Sequence, residues 1–192
     1  MRFITKITSA LVLSFGLANA ASYSVDNAHT NVGFSVKHMM ITNVKGDFKT
    51  YDAQIDFDEA TKSFKTFSAN VNTASIDTGI EKRDEHLRSD DFFASEKFPK
   101  MTFVMKSYEV NGNEGKMKGD LTIRGITKPV VLEVEDIASV KDFQGSKRVG
   151  FSLKGKINRM DYDLKWNKAL EAGGVAVGEE VKIMVDVEAV QK

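Results

Sequence analysis

Residues 31–37, Asn31-Val32-Gly33-Phe34-Ser35-Val36-Lys37, alternate between apolar residues and polar or small ones. A period of two is typical of a β-strand that has one face on a core and the other in water. The alternation recurs at about eight or nine regularly spaced places along the chain, as in antiparallel sandwiches and barrels. Short turn sequences such as Asn111-Gly112-Asn113 separate these segments. The sequence therefore predicts an all-β domain.

One segment breaks the strand pattern. Thr78-Gly79-Ile80-Glu81 matches the S/T-x-x-E capping box and predicts one short helix at about residues 79–88. This helix is dense in charge, and two interpretations of it stay open. Asp84 and Arg88, four residues apart, form an ion pair on one face. Alternatively, Arg83, His86 or Arg88 meets a polar or anionic head group at the mouth of a pocket.

Composition excludes several classes of protein. The chain has 192 residues with 27 Lys and Arg, 27 Asp and Glu, and no Cys. The absence of Cys excludes a disulfide scaffold, a thiolate metal site, a thiol nucleophile and a Cys-linked lipid anchor. The lack of a basic surplus argues against nucleic acid as a partner, because phosphate binding depends on counterion release by basic residues.

The first twenty residues have the pattern of a cleavable signal peptide. Arg2 and Lys6 form a basic n-region, an apolar stretch of eleven residues covers 7–17, and Ala18-Asn19-Ala20 suits signal peptidase. We predict cleavage after Ala20, export to the periplasm, and one domain over residues 21–192. That domain carries 25 basic and 27 acidic residues, a net charge of −2. The apolar stretch is shorter than the roughly 20 residues that span a bilayer, so no stable membrane insertion is expected.

A search for catalytic or metal chemistry finds little. The three His residues, His29, His38 and His86, lie outside any H-E-x-x-H pattern, and the nucleophile-elbow, dinucleotide and P-loop motifs are absent from the sequence. The alternation places His38 on the same inward face as Val36, where a lone His is more often a hydrogen-bonded core residue than a ligand-binding group. The sequence predicts no catalytic residue, no metal site and no cofactor.

The apolar interior of a small barrel has two possible uses. An eight-stranded barrel is just wide enough to be filled by its own side chains or to hold one small ligand. Met101, Met105 and Met117 lie on apolar strand faces, and flexible Met side chains suit either gap-filling in a core or an adaptable binding surface. Residue types alone leave both interpretations open.

Six ordered motifs resemble the YceI-like family, exported lipocalin-like proteins described as polyisoprenoid binding. The resemblance covers nearly all of residues 21–192. Its most specific part is the stretch 82–93, with the pattern Arg-Asp-x-His-Leu-Arg-Ser-x-Asp-Phe-Phe. The motifs are Val25 to Thr30 with Val32 to His38, Ala74 to Thr78, Lys82 to Phe93, Phe98-Pro99 with Leu121 to Val130, Asn158 to Tyr162, and Val177 to Val181. One departure is Tyr162-Asp163, where the family often has Phe-Gly.

The resemblance implies a single antiparallel eight-stranded lipocalin-like barrel with a long apolar channel that holds one amphipathic chain. It favours the pocket over the filled core. The residues expected to line the channel are Phe34, Val36, Ile55, Phe57, Met101, Phe103, Met105, Met117, Leu121 and Phe151. Those expected to contact the head group are His38, Arg83 and Arg88.

The expected function is that of a periplasmic binding or carrier protein, not an enzyme. Its ligand would be an isoprenoid quinone, a polyprenyl phosphate or a fatty-acid derivative, and homodimers are possible. One alternative is an enzyme that acts on a lipid or small stress metabolite with the inward His38 as base. The other is a secreted protein-interaction module.

Overall fold

A computed structural model describes residues 20–171 and 173–192. The predicted signal peptide, residues 1–20, lies outside the described residues except for Ala20. Strands β1 to β11 are Ala21–Val25, Asn31–His38, Thr42–Phe48, Tyr51–Asp58, Ser63–Asn72, Ile76–Asp77, Lys100–Asn111, Glu114–Ile123, Ile126–Lys141, Lys147–Asn158 and Val177–Gln191. Helix α1 is Glu81–Arg88, and 3-10 turns cover Thr73–Ser75 and Arg159–Tyr162.

The strands form one closed antiparallel barrel. Its ring is β1-β4-β5-β7-β8-β9-β10-β11, and the pairing of β11 with β1 closes it. The long β11 pairs with β2 along residues 177–186 and with β1 only at its last residues, 189–191. Strand β4 pairs with β1, and β3 pairs with β2 in the same way. Strands β1 and β2 therefore act as one long, interrupted strand, and β3 and β4 act as a second one. The predicted eight-stranded barrel with one short helix is confirmed.

Helix α1 begins differently from the prediction. Its N-cap residue is Ile80, which has no capping side chain, so the predicted capping box is wrong. Instead, the buried carboxylate of Asp84 accepts hydrogen bonds from the backbone N–H and the hydroxyl of Thr78. The helix starts at Glu81 rather than at residue 79, because Gly79 has a φ of 78° and Ile80 is extended, and neither conformation is helical.

The barrel has two halves of different packing. The filled half is the end of the barrel that contains Ala21 of β1 and the turn between β7 and β8. Its aromatic and aliphatic side chains form the main core. The cavity half lies at the opposite end, where α1 and the connection between β10 and β11 cross over the strand ends. A second apolar cluster of Phe92, Ile123, Tyr162 and Leu164 joins these connections to the barrel wall.

Candidate functional site

The cavity half encloses a space of about 220 Å³ that is lined almost entirely by apolar side chains. Strands β2 and β11 contribute alternate residues, for example Val32 and Phe34 on one strand and Ile183 and Val185 on the other. These pairs face each other in register, Val32 with Val185 and Phe34 with Ile183. The alternation seen in the sequence thus produces a continuous apolar wall.

Side chains of the two halves differ in exposure. Ile55, Met117 and Val149 in the filled half are 0% exposed. Phe34 and Val185 point into the same barrel but stay only half-buried, because part of each side chain faces the cavity. Burial of this exposed apolar surface by a bound apolar chain would contribute roughly 25 cal/mol of binding free energy per Å².

Aromatic residues after α1 cover the cavity. Leu87, Phe92 and Phe93 line it from the helix side. The Phe93 ring meets the Phe48 ring of β3 edge to face, with 5.6 Å between centroids. These contacts hold the segment after the helix against the barrel wall and close much of the open end.

A second space of about 200 Å³ forms a mouth next to the cavity and shares Phe34 with it. Its lining includes Lys37, His38, Arg83 and His86, and no carboxylate among the described residues lines it. Arg83 is fixed at this place because its Nε donates to the Thr78 hydroxyl at 2.6 Å and its Nη2 to the Thr78 carbonyl at 2.7 Å. The apolar cavity is therefore bordered by a space whose lining includes basic side chains.

Arg159 also lines the cavity and is 3% exposed. Its guanidinium donates to the carbonyls of Leu164, Trp166, Val177 and Gly178. Burial lowers the pKa of Arg159, since the charged form loses its hydration. The side chain ties the connection between β10 and β11 to the start of β11, so it shapes the wall of the cavity.

The structure brings together part of the predicted site. Five predicted residues line the cavity: Phe34, Val36, Met101, Phe103 and Leu121. His38 and Arg83 line the mouth, together with Phe34 and Val36.

Five other predicted lining residues lie outside both spaces and belong to the filled half. They are Ile55, Phe57, Met105, Met117 and Phe151. All of them point inward, as the alternation predicts, but they meet other side chains there instead of open space. The period of two decides which face of a strand is inside, whereas depth along the barrel axis depends on how the strands are staggered.

Arg88 is also separated from the predicted site. Its Nη1 forms an ion pair with Oε1 of Glu81 at 3.0 Å, one helix face away from the mouth residues. The pairing predicted with Asp84 is wrong, because the Asp84 carboxylate is buried and bonded to Thr78.

Sequence reasoning missed the residues that cover the cavity. Phe92 and Phe93 lie in the most specific family motif, and two adjacent Phe residues after a polar helix are a signal that could have identified them. Arg159 lies in the family motif Asn158 to Tyr162, but its burial in the cavity wall was not predicted, because an Arg is ordinarily expected at the surface.

An ion-pair network lies at the junction of β1 and β2. Arg148 Nη1 donates to Asp26 at 2.7 Å and to Glu188 at 2.6 Å, and its Nε donates to Asp142 at 2.9 Å. The Arg148 hydrogen bond, reinforced by one from His29, lowers the pKa of Asp26 to about 2. Asp26, His29 and Glu188 have ligand atoms within 4.8 Å of one another, but the Arg148 cation already lies between the two carboxylates.

No helix among residues 20–171 and 173–192 is long and apolar enough to cross a bilayer.

Comparison with known proteins confirms the family resemblance. Protein YceI of Escherichia coli O157:H7 is 37% identical over 186 residues, which cover 96% of this chain and 94% of that protein. The Campylobacter jejuni YceI crystal structure is 43% identical with a TM-score of 0.72, and the match covers 88% of this chain and 98% of that one. A polyisoprenoid binding domain from Saccharophagus degradans shares the fold at 14% identity and a TM-score of 0.64, over 90% of this chain and 99% of its own. A model for the YceI-like domain matches residues 23–189, and this chain therefore belongs to the YceI-like domain family.

Proposed function

We propose that this protein is a periplasmic carrier that holds the chain of an amphipathic lipid in the cavity half of its barrel. The observation that carries the proposal is the set of inward apolar side chains, such as Phe34 and Val185, that stay half-buried while the filled half is fully packed. The shared fold of the Saccharophagus degradans polyisoprenoid binding domain supports a lipid ligand.

Binding in this cavity depends on burial of hydrocarbon. Each buried CH₂ group contributes about 0.8 kcal/mol, and the apolar wall offers few polar groups that would discriminate between chains. An isoprenoid or an acyl chain therefore satisfies the same surface. Ligands would therefore be distinguished mainly by the contacts of their head groups in the mouth.

The mouth suits an oxygen-rich or anionic head group. His38 and Arg83 line it, and the Arg83 guanidinium is held in place by Thr78. Such a donor set is suited to phosphate or carboxylate oxygens. Arg88 is left out of this proposed subsite because it pairs with Glu81.

Binding is favoured over catalysis by the surroundings of His38. His29 and His86 each contact a carboxylate, Asp26 at 3.0 Å and Asp91 at 2.8 Å. His38, which faces the mouth, has no such hydrogen bond to a residue that the structure describes. A general base ordinarily needs an orienting partner, so the enzyme alternative has less support.

Mass spectrometry of an organic extract from the protein purified out of its native host tests the proposal. We expect one lipid per protein chain. The variant Ala69→Trp, which places an indole in the cavity wall, should lose the lipid and stay folded. The matched control Ala138→Trp, at an exposed position of β9, should keep it. Wild-type protein without stoichiometric lipid, which also fails to bind an added long-chain lipid, would refute the carrier function.

Export is tested separately. Cell fractionation followed by N-terminal sequencing should find the protein in the periplasm with Ala21 as its first residue. A cytoplasmic protein that retains Met1 would contradict the export part of the proposal and leave the lipid site unaffected.

A further inference from the structure

The turn between β2 and β3 presents three apolar side chains to solvent. Met39, Met40 and Ile41 are 44%, 53% and 82% exposed. Three consecutive apolar residues at a hairpin tip are unusual, because turns ordinarily consist of Gly, Asn, Asp or Ser. These residues, called here the apolar tip, contribute little to the core.

The backbone of the apolar tip makes its composition more unusual. Met39 and Met40 both have positive φ, 47° and 63°. Hairpin turns of this geometry favour Asn and Gly, because a side chain with a Cβ is disfavoured at positive φ. Folding therefore gives no reason for Met at either position. Function at the exposed surface is the remaining reason.

The apolar tip lies beside the mouth of the cavity. His38, the residue before it, lines the mouth. The Met39 N–H donates to the carbonyl of Ala176 at 2.8 Å, which fixes the turn against the connection that leads into β11. Ile80, 54% exposed, precedes α1 at the same end of the barrel. Any surface that the tip contacts therefore also meets the entrance for ligand.

The hairpin that carries the tip is basic. Residues 35–45 include Lys37, His38 and Lys45 and no carboxylate. Lys37 and Lys45 are exposed on the same outward face of the hairpin and form no ion pair with any residue in the described ranges. Apolar side chains flanked by lysines are typical of segments that lie in the interface of an anionic bilayer.

We propose that the apolar tip docks into the interface of an anionic phospholipid bilayer and sets the cavity mouth against the lipid. Docking is peripheral and local. The net charge of −2 gives the whole domain no attraction to the membrane, so contact depends on three apolar side chains and the two lysines behind them. Docking itself does not depend on the proposed lipid-carrier function. Only its proposed purpose, the exchange of ligand with the bilayer, rests on that function.

Vesicle flotation of the purified mature protein tests the docking. We expect wild-type protein to float with vesicles of phosphatidylglycerol and phosphatidylethanolamine, and less with pure phosphatidylcholine. Ile41→Asp should weaken this binding by at least about tenfold, since it removes an aliphatic side chain that docking would bury in the bilayer interface and adds a negative charge. The matched control is Phe143→Asp, which changes another exposed apolar residue at the other end of the barrel and should bind as the wild type does.

Two outcomes would overturn the proposal: wild-type protein that does not float with anionic vesicles, or an equal loss of binding in Ile41→Asp and Phe143→Asp. Binding of a fluorescent fatty acid without vesicles separates docking from the carrier function. Ile41→Asp should bind that probe with wild-type affinity, because residue 41 lines neither space. Failure of the carrier function would show as absence of probe binding in every variant, whatever the flotation result.

Discussion

The ring of Phe93 packs edge to face on the ring of Phe48 and so joins the segment after α1 to strand β3 across the open end of the cavity. Both rings also line the cavity. Because this pair covers the end of the cavity and would contact a bound chain, we expect it to affect how fast the ligand leaves.

Phe93→Ala should therefore speed the release of ligand. Loss of an aromatic pair and its buried surface amounts to about 1.5 kcal/mol or more, which corresponds to at least a tenfold rise in the dissociation rate. Stopped-flow displacement of a fluorescent fatty acid measures that rate. Phe143→Ala, at a fully exposed position, is the control. An unchanged rate in Phe93→Ala would show that ligand leaves by another path.

Truncations at two depths of the barrel should have opposite effects. Met117→Ala, in the filled half, should lower the free energy of unfolding by about 2–5 kcal/mol through the void that it leaves, with little effect on ligand affinity. Leu121→Ala, four residues along the same strand and in the cavity wall, should reduce affinity more than stability. Urea unfolding and fluorescent-lipid titration of both variants decide this. Equal effects of the two variants on affinity would refute the division into halves.

Arg159 should be essential for stability. Arg159→Met keeps most of the side-chain volume but removes the guanidinium donor from four backbone carbonyls, of which only that of Val177 keeps another side-chain donor, Asn167. A buried unsatisfied group costs about 1–3 kcal/mol. We expect a loss of at least about 3 kcal/mol in urea unfolding. Lys156→Met, which breaks an exposed ion pair with Glu180, is the control and should change stability by less than about 1 kcal/mol. A small loss in Arg159→Met would show that water replaces the guanidinium.

Tyr162 should tolerate loss of its hydroxyl. This group is buried, has no hydrogen-bond partner among the described residues, and has its pKa raised to about 12 by burial. Removal of an unsatisfied buried hydroxyl relieves its desolvation cost, so Tyr162→Phe should match or exceed wild-type stability. Thermal unfolding at pH 7 measures this. A clear loss of stability would mean that an ordered water bonds the hydroxyl.

Asp26 should make stability sensitive to acid. Its pKa is lowered from 3.8 to about 2, chiefly by the hydrogen bond from Arg148, so the folded state binds its proton less readily than the unfolded state does. The stabilisation is fully present above pH 3.8 and is lost as the pH falls through about 2.

Urea unfolding of wild-type protein and Asp26→Asn as a function of pH tests this. The wild type should be more stable at neutral pH, and the difference between the two should shrink across that acid range. A difference that stays constant with pH would contradict the role of the Asp26 charge.

The sequence by itself determined the class of fold and the family. Alternation with a period of two is a local property of each strand, so it identified the strands and their inward faces, and the motif around residues 82–93 identified the family. The structure explains why the family often has Gly where this chain has Asp163: the φ of Asp163 is 60°, a conformation that Gly adopts without strain.

Tertiary structure alone decided depth and closure. Met117 and Leu121 have the same pattern in the sequence, yet one is packed in the filled half and the other faces the cavity, because strand stagger sets their level along the barrel axis. Arg159 became part of the wall only where the chain after β10 returns to β11 and brings four carbonyls together around one guanidinium. Contacts between residues far apart in sequence, which leave no periodic trace, therefore determine where this barrel is filled and where it is open.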